Sequence, residues 1–172
     1  MSNPKFIALA VMTLDGKIAK TVSHESSWSS KEDKKFLRKK IDRCDVIVVG
    51  RNTYEVSHGP LSKRNCIVIT SRVATTTEPT ALCRYVNPKT VNIKTLVQSL
   101  GYRNICILGG TRTYSLMLKL GLIDELFLTI EPLLFGSGLS LFDLPLKNAP
   151  LFRLVSVKKL NRRGTILLHY RR

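Results

Sequence analysis

The sequence predicts one α/β domain that spans residues 1–172, with a mostly parallel central sheet, helices on both faces (three-layer α/β/α) and an antiparallel hairpin at its C-terminal end. Three observations support this prediction. Apolar runs rich in β-branched residues alternate with segments of helical period. Glycine follows two of these runs directly, as it does in tight strand-to-helix turns. The last two predicted strands have only a short polar turn between them.

The predicted elements follow one another in a regular order. We predict strands at residues 5–12, 46–49, 66–70, 82–86, 105–108, 125–134, 151–159 and 163–171. We predict helices at residues 30–42, from 52 onward, at 92–100 and from 111 to about 120. Ser30 and Asn92 can cap two of these helices, and Gly101 and Gly121 can end the last two. This order places ligand sites at the carboxyl ends of the parallel strands.

The chain is strongly basic, with 28 Lys+Arg against 12 Asp+Glu and a net charge of +16. Such a charge can serve nucleic-acid binding, an anionic substrate or cofactor, or only a solvated surface. The basic residues are scattered and few aromatic residues lie among them, so nucleic-acid binding ranks last among the functions considered. No apolar run is long enough to span a bilayer and no secretory signal is visible, so we expect no membrane association.

The four cysteines are Cys44, Cys66, Cys83 and Cys106. They lack the close-paired spacing of metal sites, and most of them lie inside apolar runs. We therefore expect reduced, buried thiols, no bound metal and a cytoplasmic protein.

Two strand-to-helix junctions, at residues 48–53 and 107–112, carry the same kinds of residue. In each, glycine lets the backbone approach a ligand closely, and the helix that follows offers free N–H groups to an anion. Each also supplies an arginine and a threonine, which suit phosphate oxygens. Either junction alone is equally well explained as a tight turn, but the two together favour anion binding. Neither is a G-x-G-x-x-G or Walker sequence.

Asp33 is the third candidate feature. On a helix that starts near Ser30 it shares one face with Phe36, Leu37 and Ile41. A carboxylate on an apolar stripe is costly unless it has a partner, which points to a ligand. It could equally be a first-turn acid that completes a capping box with Ser30. The spacing leaves both interpretations open.

Several motifs, taken together, resemble the dihydrofolate reductase superfamily over nearly the whole chain. They are residues 8–11, the pair Trp28 and Asp33 five apart, and residues 50–55, 60–65, 70–72, 108–114 and 126–129. Other segments resemble the riboflavin-pathway pyrimidine reductases, the RibD C-terminal domain branch of that superfamily. These are residues 13–19, 28–30, 122–126 and 131–138. The loop between Gly16 and Trp28 is longer than in common bacterial dihydrofolate reductases, and residues 58–64 lack the acidic or amide residue usual in the pyrimidine reductases.

The resemblance implies that NADPH is the cofactor, because residues 70–72 fall where the superfamily binds its 2′-phosphate. Residues 109–113 would hold the pyrophosphate, and Tyr114 would lie near the nicotinamide. The full set of implied cofactor-binding residues is Ala8, Gly16, Gly50, Arg51, Asn52, Thr53, Thr70, Ser71, Arg72, Leu108, Gly109, Gly110, Thr111, Arg112, Thr113 and Tyr114.

The resemblance also implies hydride transfer from NADPH to a C=N bond, with Asp33 binding the amino and ring N–H groups of a 2-amino-4-oxo ring. Thr129 would orient Asp33, and Trp28 would order a water beside it. The implied substrate-binding residues are Phe6, Ile7, Asp33, Phe36, Leu37, Arg64 and Thr129. The first candidate reaction reduces 7,8-dihydrofolate to tetrahydrofolate. The alternative substrate is 2,5-diamino-6-ribosylamino-pyrimidinone 5′-phosphate. The resemblance allows either a monomer or a homodimer.

Overall fold

The computed structural model describes residues 3–24, 26–146 and 149–172. Its strands are β1 (Lys5–Thr13), β2 (Lys17–Ala19), β3 (Val46–Gly50), β4 (Cys66–Ile69), β5 (Thr76–Thr80), β6 (Cys83–Val86), β7 (Asn104–Leu108), β8 (Glu125–Glu131), β9 (Leu139–Ser140), β10 (Arg153–Lys159) and β11 (Ile166–Arg171). Its α-helices are α1 (Lys31–Ile41), α2 (Arg51–Val56), α3 (His58–Leu61), α4 (Ile93–Ser99) and α5 (Thr111–Lys119), and a 3₁₀ turn covers Ser26–Trp28.

Nine strands form one sheet in the order β10-β11-β8-β1-β7-β3-β4-β6-β5, and β2 pairs with β9 in a separate two-stranded sheet. The strands from β8 to β6 are all parallel to their neighbours, whereas β5, β11 and β10 add antiparallel pairs at the two edges. The predicted α/β class, with a mostly parallel sheet and a C-terminal antiparallel hairpin, is confirmed. The prediction missed β2, β5, β9 and α3, which are short. β5 is also exposed along its whole length, so it carries no apolar pattern.

A hydrophobic core covers each face of the sheet, because side chains alternate along every strand. Phe6 and Ala8 of β1 belong to the core beneath α4 and α5. Ile7 and Leu9 belong to the opposite core, against which Phe36 of α1 packs. The helices are thereby fixed on both faces, and the carboxyl ends of the parallel strands lie together at one edge of the sandwich. No helix in the described ranges is both long and apolar enough to cross a membrane.

The state of the cysteines differs from the expectation. Cys44 and Cys106 form a disulfide, so the prediction of four reduced thiols is wrong for this pair. Cys44 lies just beyond α1 and Cys106 in the middle of β7, so the fold joins two positions that are 62 residues apart in sequence. Cys66 and Cys83 are free and buried. Burial raises the pKa of the Cys66 thiol to about 12, which makes it a poor nucleophile.

Candidate active site

A cleft of about 860 Å³ opens between α1 and the carboxyl ends of β1, β7 and β8. Residues 9–11 of β1 and 108–110 at the end of β7 form its floor, and α1 contributes Asp33, Phe36 and Leu37 to its wall. Its size suits a small organic ligand with a cofactor group beside it. Its place at the carboxyl edge of the sheet is where open α/β sheets bind ligands.

Asp33 is buried in this cleft, with only 4% of its surface exposed. Ser30 caps α1, and its Oγ accepts a hydrogen bond from the Asp33 backbone N–H at 3.3 Å. The Asp33 side chain does not close a capping box, because the Ser30 N–H donates instead to Oε1 of Glu131 at 2.7 Å. The capping-box interpretation of Asp33 is therefore wrong, and its carboxyl group is left to face the cleft.

The surroundings of Asp33 raise the pKa of its carboxyl group above the ordinary value. Burial is the largest cause, since it penalises the charged form, and the nearby Glu131 carboxylate acts in the same direction. The side chains of Thr129 and Ser29, together with the charge of Lys34, oppose this and lower the pKa. The Ser29 hydroxyl is buried and has no other hydrogen-bond partner among the described residues, so it is a donor available to this carboxyl group.

Two buried hydroxyl groups share the cleft with Asp33. Thr129 of β8 is 1% exposed, and its side chain lies beside the Asp33 carboxyl group. The Tyr114 hydroxyl donates to the Leu9 carbonyl at 2.5 Å. Burial, and secondly the nearby Asp33, raise the pKa of Tyr114, so its phenol stays protonated at neutral pH.

Some residues predicted for this site lie elsewhere. Phe6, Ile7 and Ala8 are buried in the two cores and do not line the cleft. The cleft takes the later part of the same strand, residues 9–11, because it opens at the carboxyl end of the sheet. The Trp28 ring packs edge-on against Phe135, with 5.0 Å between centroids, outside the cleft lining. Its indole Nε1 is buried and has no hydrogen-bond partner in the described parts of the chain.

The two glycine junctions lie side by side at the other end of the cleft. The Gly50 N–H donates to the Gly109 carbonyl at 3.1 Å, which ties the junction after β3 to the junction after β7. A Cβ atom on Gly50 would stand 2.6 Å from Thr113 Oγ1, so only glycine fits there. The Gly109–Gly110 peptide bond is cis, and both glycines line the cleft.

The helix N-termini differ in a way that fits the predicted cofactor. Ser30 and Asn92 cap α1 and α4 with side-chain hydrogen bonds, whereas the N-cap residues of α2 and α5 are Gly50 and Gly110, which have no side chain to cap with. The first N–H groups of α5 are therefore open to an anion, and Arg112 beside them is exposed. Arg51 at the neighbouring junction already pairs with Glu55 at 2.6 Å. These residues fit the pyrophosphate of a dinucleotide such as NADPH.

The remaining predicted cofactor residues lie partly in the cleft and partly outside it. Thr53 and Leu108 line the cleft, Thr113 is buried, and the Thr111 hydroxyl donates to the Ser140 carbonyl at 2.5 Å. Thr70 follows β4, and its Oγ1 accepts from the Arg72 N–H at 3.2 Å. Ser71, Arg72 and Asn52 are exposed on the same edge. Gly16 lies in the turn between β1 and β2 with φ +75°, outside the cleft lining.

Four basic side chains line the part of the cleft that α1 and the α3 region border, namely Lys34, Arg38, Lys63 and Arg64. Two of them are engaged: Arg64 pairs with Asp42 at 2.5 Å, and Lys34 Nζ donates to the Ser27 carbonyl at 2.9 Å. Arg38 and Lys63 are exposed and form no ion pair within the described residues. The sequence analysis named Arg64 of this cluster but missed the other three, although Lys34 and Arg38 are four residues apart and so share a helix face.

The family model of the RibD C-terminal domain matches residues 4–65 and 57–166 of the chain. A protein of Shewanella sp. PV-4 ascribed to riboflavin biosynthesis has a similar structure, with a TM-score of 0.77 and 24% identity over 98% of both chains. Enterococcus faecalis dihydrofolate reductase, solved with NADP(H) and RAB-propyl, gives a TM-score of 0.65 at 20% identity, over 98% of this chain and 96% of that one.

A third similar structure is that of a larger protein. The diaminohydroxyphosphoribosylaminopyrimidine deaminase/5-amino-6-(5-phosphoribosylamino)uracil reductase of Thermotoga maritima gives a TM-score of 0.74 at 18% identity. The match covers 98% of this chain but 56% of that protein, so this chain corresponds to about half of it. At identities this low, the three structures establish the fold. No curated protein matches the chain.

Proposed function

The chain belongs to the RibD C-terminal domain family, and on that premise we propose that it is an NADPH-dependent reductase of a ribosylaminopyrimidine 5′-phosphate. Its substrate is 2,5-diamino-6-ribosylamino-pyrimidinone 5′-phosphate, the second of the two candidates that the sequence suggested. The family match supports a reductase of the riboflavin-pathway type, and the cleft supports the choice of this substrate over dihydrofolate. The proposal includes NADPH as the cofactor and the expected cytoplasmic location.

One observation carries the proposal: a buried carboxyl group and a cluster of basic side chains line different parts of one cleft. Asp33 fits the hydrogen-bond donors of a heterocycle, and Arg38 and Lys63 fit an anionic group attached to it. An aminopyrimidine joined to a ribose phosphate has a donor edge and an anionic tail of this kind. A phosphate suits Arg38 in particular, because a guanidinium group can donate two parallel hydrogen bonds to it.

Asp33 also favours the 2-amino form of the pyrimidine over its deaminated form. An ionised carboxylate accepts two parallel N–H bonds, which the 2-amino group and the ring N–H can supply. A uracil edge offers an N–H beside a carbonyl, and the carbonyl oxygen would meet a carboxylate oxygen without a proton between them. The raised pKa of Asp33 reduces this penalty, because a protonated carboxyl group donates once and accepts once.

The residues of the chain divide the work as follows. When bound, NADPH supplies the hydride that reduces the C=N bond, which in the ring-opened ribosylamine joins the sugar C1′ to the exocyclic nitrogen. The N-terminus of α5 and Arg112 hold the pyrophosphate, and residues 70–72 hold the 2′-phosphate. Asp33 and Thr129 orient the ring, and Phe36 and Leu37 exclude water from it. Asp33 accepts the N–H groups of the ring in its ionised form, and its raised pKa makes it easier for the same carboxyl group to take up and hold a proton near the ring.

Dihydrofolate is the second candidate substrate. The five-residue spacing of Trp28 and Asp33, and the position of Thr129 beside Asp33, suit it. Arg64, which would bind the glutamate carboxylate, is instead paired with Asp42 at 2.5 Å, and this pairing counts against dihydrofolate.

The test is oxidation of NADPH, followed by absorbance, with three substrates in parallel: the diaminopyrimidine ribosyl phosphate, its deaminated uracil counterpart and dihydrofolate. We expect turnover with the first, much slower turnover with the second and little with the third. Faster turnover of dihydrofolate than of either pyrimidine would reverse the substrate assignment. NADPH binding without turnover of any of the three would refute the proposed reaction.

A further inference from the structure

Glu131 ends β8 and is buried, with 3% of its surface exposed, yet the proposed function gives it no part. Side chains alternate along a strand, so Glu131 lies on the same face of β8 as Thr129 and Phe127. Phe127 packs against Phe36 of α1 with 5.5 Å between ring centroids, and Thr129 lies beside Asp33. Glu131 therefore points toward the N-terminus of the helix that carries Asp33.

The Glu131 carboxylate connects that helix to the C-terminal hairpin. Its Oε1 accepts from the Ser30 N–H at 2.7 Å, and its Oε2 accepts from the Thr165 hydroxyl at 2.7 Å. Thr165 is fully buried and also accepts from the Asn161 side-chain amide at 2.9 Å. The same amide donates to Glu32 in the first turn of α1 at 3.2 Å. The start of α1 is thus held from two sides, through Ser30 and through Glu32.

Burial of a charged carboxylate at this position costs free energy unless other groups stabilise it. It is buried, and it forms no ion pair with a basic side chain in the described ranges. Its two oxygens accept from the Ser30 N–H and the Thr165 hydroxyl, whereas a glutamine has only one oxygen and could accept from only one of them. Besides accepting these two hydrogen bonds, the carboxylate brings a negative charge close to Asp33, whose pKa it raises.

We propose that Glu131 is a positioning residue for Asp33: it fixes the start of α1 so that the Asp33 carboxyl group faces the cleft, and it places a second negative charge behind that group. This inference rests on the proposed function, since it gives Asp33 the role of binding the pyrimidine. Because the Ser30 N–H is occupied by Glu131, Asp33 is not drawn into a capping box. The adjacent charge favours the protonated form of Asp33, which is the form that can hold a proton near the substrate.

Other groups around Asp33 also set its titration. The charged or titratable groups that face it are Lys34 of α1, Glu131 of β8 and Tyr114 of α5, and His24, Arg38, Lys63 and Arg64 line the same cleft farther away. Lys34 favours the ionised form of Asp33 and so opposes Glu131. Removal of the Glu131 charge should therefore take away one cause that raises the pKa of Asp33, leave the opposing effect of Lys34, and move the titration of Asp33 to lower pH.

Three variants separate the two parts of this proposal. Glu131→Gln removes the charge but keeps an oxygen acceptor for the Ser30 N–H and an NH2 group that can donate to the Thr165 hydroxyl oxygen, whereas Glu131→Ala removes the charge and both contacts. Glu125→Gln is the matched control, because it is the same chemical change at the other end of the same strand. The first measurement follows the Asp33 carboxyl carbon by NMR against pH in the ligand-free protein. We expect a lower titration midpoint in both Glu131 variants and an unchanged midpoint in Glu125→Gln.

This titration needs no substrate, so it tests Glu131 even if the proposed reaction is wrong. An unchanged midpoint in a folded Glu131→Gln protein would overturn the charge part of the proposal. A midpoint that moved equally in Glu125→Gln would also overturn it, because the effect would then not be specific to Glu131.

The second measurement is turnover against pH with the diaminopyrimidine substrate. Glu131→Gln should keep its maximal kcat within about threefold and reach it at lower pH, whereas Glu131→Ala should lose about tenfold in kcat because α1 is no longer fixed. Undiminished kcat in Glu131→Ala would overturn the positioning part. If Glu131→Ala does not fold, Thr165→Val replaces it, because it removes the donor that fixes Oε2. A loss in kcat is then expected, and undiminished kcat would again overturn this part.

Discussion

Strand β8 carries a buried carboxylate at its amino end, Glu125, and supports another near its carboxyl end, Asp33 of α1. Both residues are 4% exposed, yet their pKa values shift in opposite directions. At Glu125, burial raises the pKa, but Lys5 at 2.8 Å and Arg171 at 2.7 Å outweigh it and the net pKa is lowered. Asp33 forms no ion pair with the described residues, so burial prevails and its pKa is raised.

The difference shows what a buried acid can do in this fold. The charge of Glu125 is already satisfied by two cations of the protein, so it joins β1, β8 and β11 and has little left for a ligand. Asp33 has hydroxyl groups beside it but no ion pair among the described residues, so it remains able to accept donors from a substrate. Burial alone therefore does not mark an acid that binds a ligand; Asp33 is distinguished because it is buried, lines the cleft and forms no ion pair with the described residues.

The largest expected effect comes from Asp33→Asn. Turnover should fall at least about 100-fold, because the amide cannot accept two N–H bonds or hold a proton at the ring. The dissociation constant of NADPH, measured by fluorescence titration, should stay the same. If Asp33→Asn kept turnover within a few fold of the parent protein, Asp33 would not differ from Glu125 in its importance for the reaction.

The next largest effect is on stability, and it comes from Glu125 at the amino end of β8. Glu125→Gln should lower the free energy of unfolding by about 2 kcal/mol, since it leaves Lys5 and Arg171 without their partner. Larger losses are not expected, because solvent reaches about half of each basic side chain, 45% for Lys5 and 50% for Arg171. Urea unfolding measures this change, and turnover should remain that of the parent. A Glu125→Gln protein that was as stable as the parent but inactive would contradict the assignment of Glu125 to stability.

Two arginines that line the cleft can be compared in the same way, one without an ionic partner and one with a partner. Arg38 has no ionic partner in the described chain, whereas Arg64 pairs with Asp42 at 2.5 Å. Arg38→Gln should raise the KM for the phosphorylated substrate about tenfold with little change in kcat, because it removes ground-state binding of the phosphate. Arg64→Gln, the matched control, should change KM by less than about twofold. A larger rise in KM for Arg64→Gln would restore the assignment that the sequence made.

The sequence predicted the fold better than the site, for physical reasons. Apolar runs and helical periods are local signals, so the order of strands and helices could be predicted from them. Partners are not local: the Ser30 N–H is bound by a residue 101 positions away, and Cys44 by one 62 positions away. The capping-box interpretation of Asp33 and the expectation of reduced thiols both failed at such a contact.

Residue types pointed to Asp33 and the glycine junctions, because their chemistry is distinctive, and the family resemblance added Thr129. They could not separate Arg38 from the other basic residues, since only the fold decides which cations have a carboxylate partner. The resemblance implied Phe6, Ile7 and Ala8 at the site, but the cleft is lined by residues 9–11 of the same strand. The edge of the sheet where ligands bind is set by topology and not by the strand sequence.

The smallest expected effect is the pH dependence of stability, in which the two acids should act with opposite sign. The folded protein binds the Asp33 proton more tightly than the unfolded chain does, because the folded pKa is raised above 3.8. The contribution of Asp33 to stability is therefore full below pH 3.8 and is lost as the pH rises through its raised pKa. Glu125 has a lowered pKa, so its contribution is present above pH 4.5 and is lost as the pH falls through that lowered value. In urea unfolding at a series of pH values, Asp33→Asn should be more stable than the parent at neutral pH and lose this advantage in acid, whereas Glu125→Gln should be less stable at neutral pH and approach the parent in acid. If the difference in unfolding free energy between variant and parent changed with pH in the same direction for both variants, one carboxylate would have been assigned the wrong environment.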